Sequence, residues 1–267
     1  MQDILHSLGL VLLYTGILWV VVLIVVMGLV HGRLGLLIRG IVGLGQAATP
    51  LSWLGAVAAQ ATALALLPWP MAAAGAPRPN LWLLWGLIEA SQLLWLLPAL
   101  SHADPQINRL ATREAQLTMA GRAALWLGVS VAWSAALEGN VVARAVATVA
   151  GLLALPLALN WPPFGPAKPS AWTKSLPRPT HPVAALLLTL RETTLLALAA
   201  TFMVVVTGVA MPLATLAQVI TIIALAAIGR GLRGTVVEQR LHWGLRWWWN
   251  LLVPLAVVGV LLLALQL

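Results

Sequence analysis

The sequence predicts an all-α, polytopic membrane protein of about eight transmembrane helices, with both termini outside. Three observations carry that prediction. Only 8% of the 267 residues are charged, while 61% are hydrophobic. Runs rich in Leu, Ala and Val persist over the roughly 18–25 residues a helix needs to cross a bilayer. The basic residues collect mostly in alternate gaps between those runs, as they do in cytoplasmic loops.

Taken in order, the runs place helices at about Leu8–Val30, Leu51–Leu67, Leu81–Leu100 and Ala115–Leu137. Four more follow at Val141–Leu159, Pro182–Val206, Pro212–Ile228 and Trp247–Leu265. The second is short and runs into Pro68, Trp69 and Pro70. All eight are read as one transmembrane domain over residues 1–267. No basic region precedes the first run, and no small-residue cleavage pattern follows it. It therefore reads as a retained helix, not a signal peptide.

The odd-numbered connections hold Arg33, Arg39, Arg109, Arg113, Lys168, Lys174, Arg178, Arg230, Arg233, Arg240 and Arg246. The even-numbered ones hold Arg78, with Arg144 at the start of the fifth run. That bias puts the odd connections in the cytoplasm. Moving one helix would spoil the alternation, so orientation and count support each other. Arg33, Arg109, Arg113, Glu114, Arg233 and Arg240 are the candidates for contacts with a cytoplasmic partner.

The connections have characters of their own. His31–Thr49 is predicted to be an interfacial helix, with Leu34, Leu37, Ile38, Ile41, Val42 and Leu44 on one broad apolar side. Arg33 and Arg39 can then reach lipid phosphates. Trp161–His181 carries six prolines and cannot be one continuous helix. Arg246-Trp247-Trp248-Trp249 reads as an interfacial anchor with indoles at headgroup depth.

Several chemistries have nothing to stand on. The net charge of +8 comes without a basic run interleaved with aromatics, so nucleic acid is not an expected partner. Without cysteine there is no disulfide, thioether haem or thiolate metal site. The five histidines show no i,i+3 or i,i+4 pairing, so no metal is expected. Gly229-Arg230-Gly231-Leu232-Arg233-Gly234 matches G-x-G-x-x-G, but a transmembrane run precedes it and no acid follows Glu238. A dinucleotide fingerprint needs a strand before it and an acid about twenty residues on.

Ions inside the runs carry more weight. A charge in a span costs about 2.5–3.5 kcal/mol on the mildest scale, so it faces a partner or water. Glu89 lies in the third helix, with Trp82, Trp85 and Gln92 on its face. Arg122 lies in the fourth, with Thr118 and Glu114 one and two turns behind it. Arg191 and Glu192 are adjacent in the sixth and diverge by about 100°. The expectation is a buried polar cluster of Glu89, Arg122, Arg191 and Glu192. It either braces the bundle as fixed ion pairs or carries protons or ions, with Glu89 and Glu192 as carriers.

Trp85–Leu100, followed by a polar loop ending Ala111-Thr112-Arg113-Glu114, resembles a known membrane family. It is the subunit 1 family of proton-pumping NADH:quinone oxidoreductase, together with its counterpart in energy-converting membrane-bound hydrogenases. Thr112-Arg113-Glu114 stands where the family has a small residue followed by S-R-E. Gly32-Arg33-Leu34-Gly35-Leu36-Leu37 resembles its G-R-x-G-P-x-L-L-Q segment. Arg246–Leu255 resembles its closing helix. The departures matter as much: Arg122 stands near the register of a family Glu, and no Asp or Glu occurs between Glu138 and Glu192.

The resemblance implies a membrane subunit in the cell (inner) membrane, anchoring a soluble catalytic or redox arm beside antiporter-like proton-translocating subunits. It implies that place in a complex more than it implies quinone chemistry, and no cofactor bound by this chain. An independent small-solute or ion transporter using the buried Glu/Arg cluster is the alternative. A membrane-embedded enzyme is a third reading, which no nucleophile or metal constellation supports.

Overall fold

In hydrocarbon the backbone must satisfy its own polar groups, so apolar runs of this length become helices. The computed structural model describes residues 16–46, 49–67, 69, 80–161, 164, 182–201, 211–235 and 241–265. Among them all regular structure is helical. The helices are α1 (Ile17–Val30), α2 (Leu34–Gly43), α3 (Leu51–Ala65), α4 (Leu81–Leu100) and α5 (Pro105–Glu138). They continue with α6 (Val141–Ala158), α7 (Pro182–Ala199), α8 (Met211–Thr235), α9 (Leu241–Trp247) and α10 (Val253–Ala264).

Among the described residues, six helical stretches are long and apolar enough to cross a membrane, and they make this a multi-pass membrane protein. They are Leu81–Leu100, Pro105–Glu138, Val141–Ala158, Pro182–Ala199, Leu213–Leu232 and Trp243–Ala264. They correspond to the third through eighth predicted runs. The first two predicted runs appear as α1 and α3, of 14 and 15 residues. At about 1.5 Å per residue each covers only some 21–23 Å. Leu8–Thr15 of the first predicted run lie outside the described residues, as does most of the Trp161–His181 connection.

Local chemistry sets the helix ends. Asp104 caps α5 by accepting from the Gln106 N–H at 2.8 Å, with Pro105 in the first turn. Gly139 closes α5 in the left-handed region, and Asn140 caps α6 by accepting from the Ala143 N–H at 2.9 Å. The tight α5–α6 hairpin is therefore written in the dipeptide Gly139-Asn140. At the end of α1, Gly32 has φ +64°, its N–H reaches the Leu29 carbonyl, and the Arg33 N–H reaches the Gly28 carbonyl. Those two bonds make a Schellman stop. The sixth predicted run is α-helical to Ala199 and passes into a π-turn at Ala200–Thr201, and the rest of that run lies outside the described residues.

The chain divides into two compact units. One takes in α1, α2, α3, α4 to Pro98, α7 to Ala197 and α8 to Ile223. There, α3 and α4 pack through Trp53 against Trp95, ring centres 5.0 Å apart, and the Ser91 hydroxyl donates to the Ala56 carbonyl. Helix α2 lies in the segment expected to be an interfacial helix. Leu37, Gly40 and Gly43 form its buried face, and the two glycines admit Pro182, Val183 and Leu186 of α7. Ile38, Ile41 and Val42 are exposed. The apolar side splits because small residues, and not the largest aliphatic ones, permit close helix approach.

The second unit is built on the α5–α6 hairpin. A Cβ on Gly121 would meet the backbone of Leu157 and Ala158, and one on Gly128 would meet Ala147 and Gly151. Helix α10 is tied on by the Asn140 amide, which donates to the Leu262 carbonyl at 3.1 Å. Between α9 and α10 the chain makes a π-helix, Trp248–Leu252, just before Pro254. Proline has no N–H to donate, and the wider turn absorbs that loss. Trp247 packs on Phe164 at 5.9 Å while Trp249 is exposed. Gly229 of the false dinucleotide motif is helical and packs on the Trp161 indole.

The glycines give a sharp contrast. Gly121→Ala is expected to destabilise the protein by at least about 1–3 kcal/mol, because its Cβ would meet backbone that cannot rotate aside. Gly86 has open space around it, so Gly86→Ala should be neutral or stabilising by up to about 1 kcal/mol. Thermal unfolding of both variants in lipid nanodiscs checks the pair. Equal unfolding temperatures would mean that α5 and α6 are not in close contact.

Candidate functional site

Helix α7 is the most thoroughly buried of the long helices, yet one of the more polar. Every residue from Thr189 to Ala200 is buried, including Arg191, Glu192 and three threonines. The threonines satisfy themselves. Thr189 donates to Ala185, Thr193 to Thr189 and Thr194 to Leu190, all at 2.7–2.9 Å. That leaves Arg191 and Glu192 as the groups on α7 whose charge calls for interactions beyond their own helix.

Glu192 meets a histidine. Its Oε2 lies 3.3 Å from His31 Nε2, with side-chain exposures of 9% and 5%. The separation is within ion-pair reach, but the ring nitrogen makes no well-directed hydrogen bond. The Schellman stop at Gly32 places the imidazole, because His31 is the last residue before the chain turns out of α1. His31 was not among the expected cluster. A histidine at a loop boundary looks solvated in sequence, and the contact spans 161 positions.

Glu89 is half-buried on α4 and accepts from the Trp85 indole N–H at 3.3 Å. Its predicted face is not uniform: Trp82 is exposed, stacked obliquely on Trp85, while Gln92 is buried. Glu89, Arg191 and Glu192 belong to the first unit and Arg122 to the second. On α5, Arg122 (4% exposed), Thr118 and Glu114 form one buried stripe, and the Thr118 hydroxyl donates to the Glu114 carbonyl at 2.7 Å.

Of the residues expected to meet a cytoplasmic partner, Arg33 and Arg109 are exposed and Arg113 is partly so. Glu114, grouped with them on sequence, is buried. The Arg233 side chain and Arg240 lie outside the described residues.

Sequence reasoning also passed over buried amides. Gln60 of α3 and Gln218 of α8 are almost fully buried. A lone Gln in an apolar run is the same kind of signal as a lone Glu, at lower cost. Among the described residues no group of three or more His, Cys, Asp or Glu is placed to hold a metal ion. What the arrangement offers chemically is buried charge, buried amides and protonatable side chains.

The Trp85–Glu89 contact can be measured directly. Trp85→Phe and Glu89→Gln, combined in a thermal-stability cycle, are expected to couple by about 0.6–1.7 kcal/mol, the range of side-chain hydrogen bonds within membranes. Strict additivity would mean the indole contributes nothing to holding the carboxylate. Neither a protein-family model nor a curated protein matches this chain.

Proposed function

We propose that the chain is a non-catalytic membrane subunit of a complex I-like or membrane-bound hydrogenase-like complex in the cell (inner) membrane. On this reading it anchors a soluble catalytic or redox arm beside antiporter-like proton-translocating subunits. Its quinone- and proton-coupling residues are weakened or lost, in keeping with the acid-free stretch between Glu138 and Glu192.

The observation that carries the reading is the length of α5. Its 34 residues extend about 51 Å, against a hydrocarbon core of about 30 Å. The apolar part, Ala115–Leu137, is long enough to span. Pro105–Glu114 then forms a polar stub of roughly 15 Å beyond it. The stub carries exposed Arg109 and half-buried Arg113, with a capped and rigid start at Asp104. A rigid, basic helix end standing out of a membrane suits an acidic face of a soluble protein. It also coincides with the Thr112-Arg113-Glu114 segment on which the family resemblance rests.

A second reading, an independent small-solute or ion transporter, draws on the buried charge of α7. The two separate cleanly by experiment. Purified in mild detergent from its native membrane, the chain should bring soluble and membrane partners with it. Arg109→Glu with Arg113→Glu should weaken retention of the soluble arm at least about tenfold, equivalent to 1.4 kcal/mol, and leave membrane insertion intact. A chain that purifies alone and moves a solute or ion in liposomes would sink the reading as part of a complex.

A further inference from the structure

We propose that His31 and Glu192 together form a proton-binding site, filled from the aqueous phase at the α1–α2 junction. The site needs nothing from membership of a complex, and an independent transporter could use it equally.

Four features support it. Both side chains are more than nine-tenths buried, and their polar atoms lie 3.3 Å apart. Histidine is the side chain whose ordinary titration falls between about pH 5 and 8, so it changes charge where a carboxylate or guanidinium does not. His31 is followed by Gly32 and Arg33, both exposed, and an exposed guanidinium favours an aqueous or headgroup setting for this junction. Last, an imidazolium here would meet the carbonyl end of α1 as well as the carboxylate, and helix C-termini favour cations.

The surrounding charges are few enough to name. Among the described residues of this unit, the others are Arg33, Arg39, Glu89 and Arg191. Arg33 and Arg39 are exposed, and the Arg39 Nε–H donates to the Gly35 carbonyl at 3.2 Å. Glu89 accepts from Trp85. Arg191, buried beside Glu192 in sequence, makes interactions of its own. The described parts of α1, α3 and α8 in this unit bring no charge at all.

The proton balance is simple. A proton from water adds to the imidazole Nε2 lone pair, giving imidazolium beside carboxylate. Passing it to Glu192 Oε2 would leave both groups neutral. The first step breaks an O–H bond of hydronium and releases water, the second breaks the imidazolium N–H bond as the carboxyl O–H bond forms, and neither is a redox change. At 3.3 Å the contact exceeds the about 2.7–2.9 Å of a charge-assisted N–H···O bond. Filling the site adds a charge-assisted attraction between the end of α1 and the middle of α7. Loss of the proton removes that attraction, so the stabilisation is present at low pH and lost as pH rises.

The test is a thermal-stability cycle on the full chain in nanodiscs, with His31→Gln, Glu192→Gln and the double variant at about pH 5 and about pH 8. The two substitutions should be non-additive at the lower pH and additive at the higher. A variant keeping His31 alone, with His6, His102, His181 and His242 changed to Gln, gives a second readout. Its ¹⁵N-imidazole spectrum should titrate, which does not depend on whether Glu192→Gln folds. Additivity at both pH values would overturn the proposal. So would an imidazole signal unchanged across that range.

Discussion

The cost of burying charge away from water governs this structure. An apolar helix can face lipid on any side, but one that carries Arg191 and Glu192 must be enclosed by protein. Helix α7 is enclosed, and the other arrangements follow from what encloses it. Gly40 and Gly43 of α2 are small because that helix has to approach α7 at Pro182 and Val183. Threonines replace larger polar residues because a threonine hydroxyl can be satisfied by its own helix, at no demand on neighbours. The polar content of α7 is thereby reduced to two groups that need help from elsewhere.

Close approach by small residues is the second recurring device, and it follows from the same solvent. Lipid is as apolar as leucine, so burying aliphatic surface between helices gains little in a membrane. Packing and backbone proximity decide instead. This accounts for Gly121 and Gly128 at the α5–α6 seam, and for bulky Ile38, Ile41 and Val42 turned outward on α2. In a water-soluble protein that same helix would bury its aliphatic residues.

These principles also separate what was legible in the sequence from what was not. Six of the predicted runs recur as membrane-length helices, because uninterrupted apolarity over a span has one structural outcome. The α5–α6 turn falls in the break between the fourth and fifth apolar runs, and Gly139 and Asn140, which shape it, are stop and start signals of a local kind. Which side of α2 meets α7 was not legible, because the contact is set by Gly40 and Gly43 and glycine carries no hydrophobic signal. His31 escaped for a different reason. Nothing local links it to Glu192, and a histidine beside Gly32 and Arg33 has the look of a loop residue. A pairing across the fold is carried by tertiary structure alone.

The identity of that partner narrows what the pair can be for. Were His31 there only to offset the charge of Glu192, a permanent cation in its place would serve best. Arg or Lys at the end of α1 would reach it, and both are available to a chain that places Arg33 two residues away. A histidine supplies positive charge only when it holds a proton. As a brace it is the weaker choice, since its hold on α7 lapses whenever the proton leaves. A conditional charge at a buried carboxylate, one residue from exposed backbone, has a use where the condition itself matters.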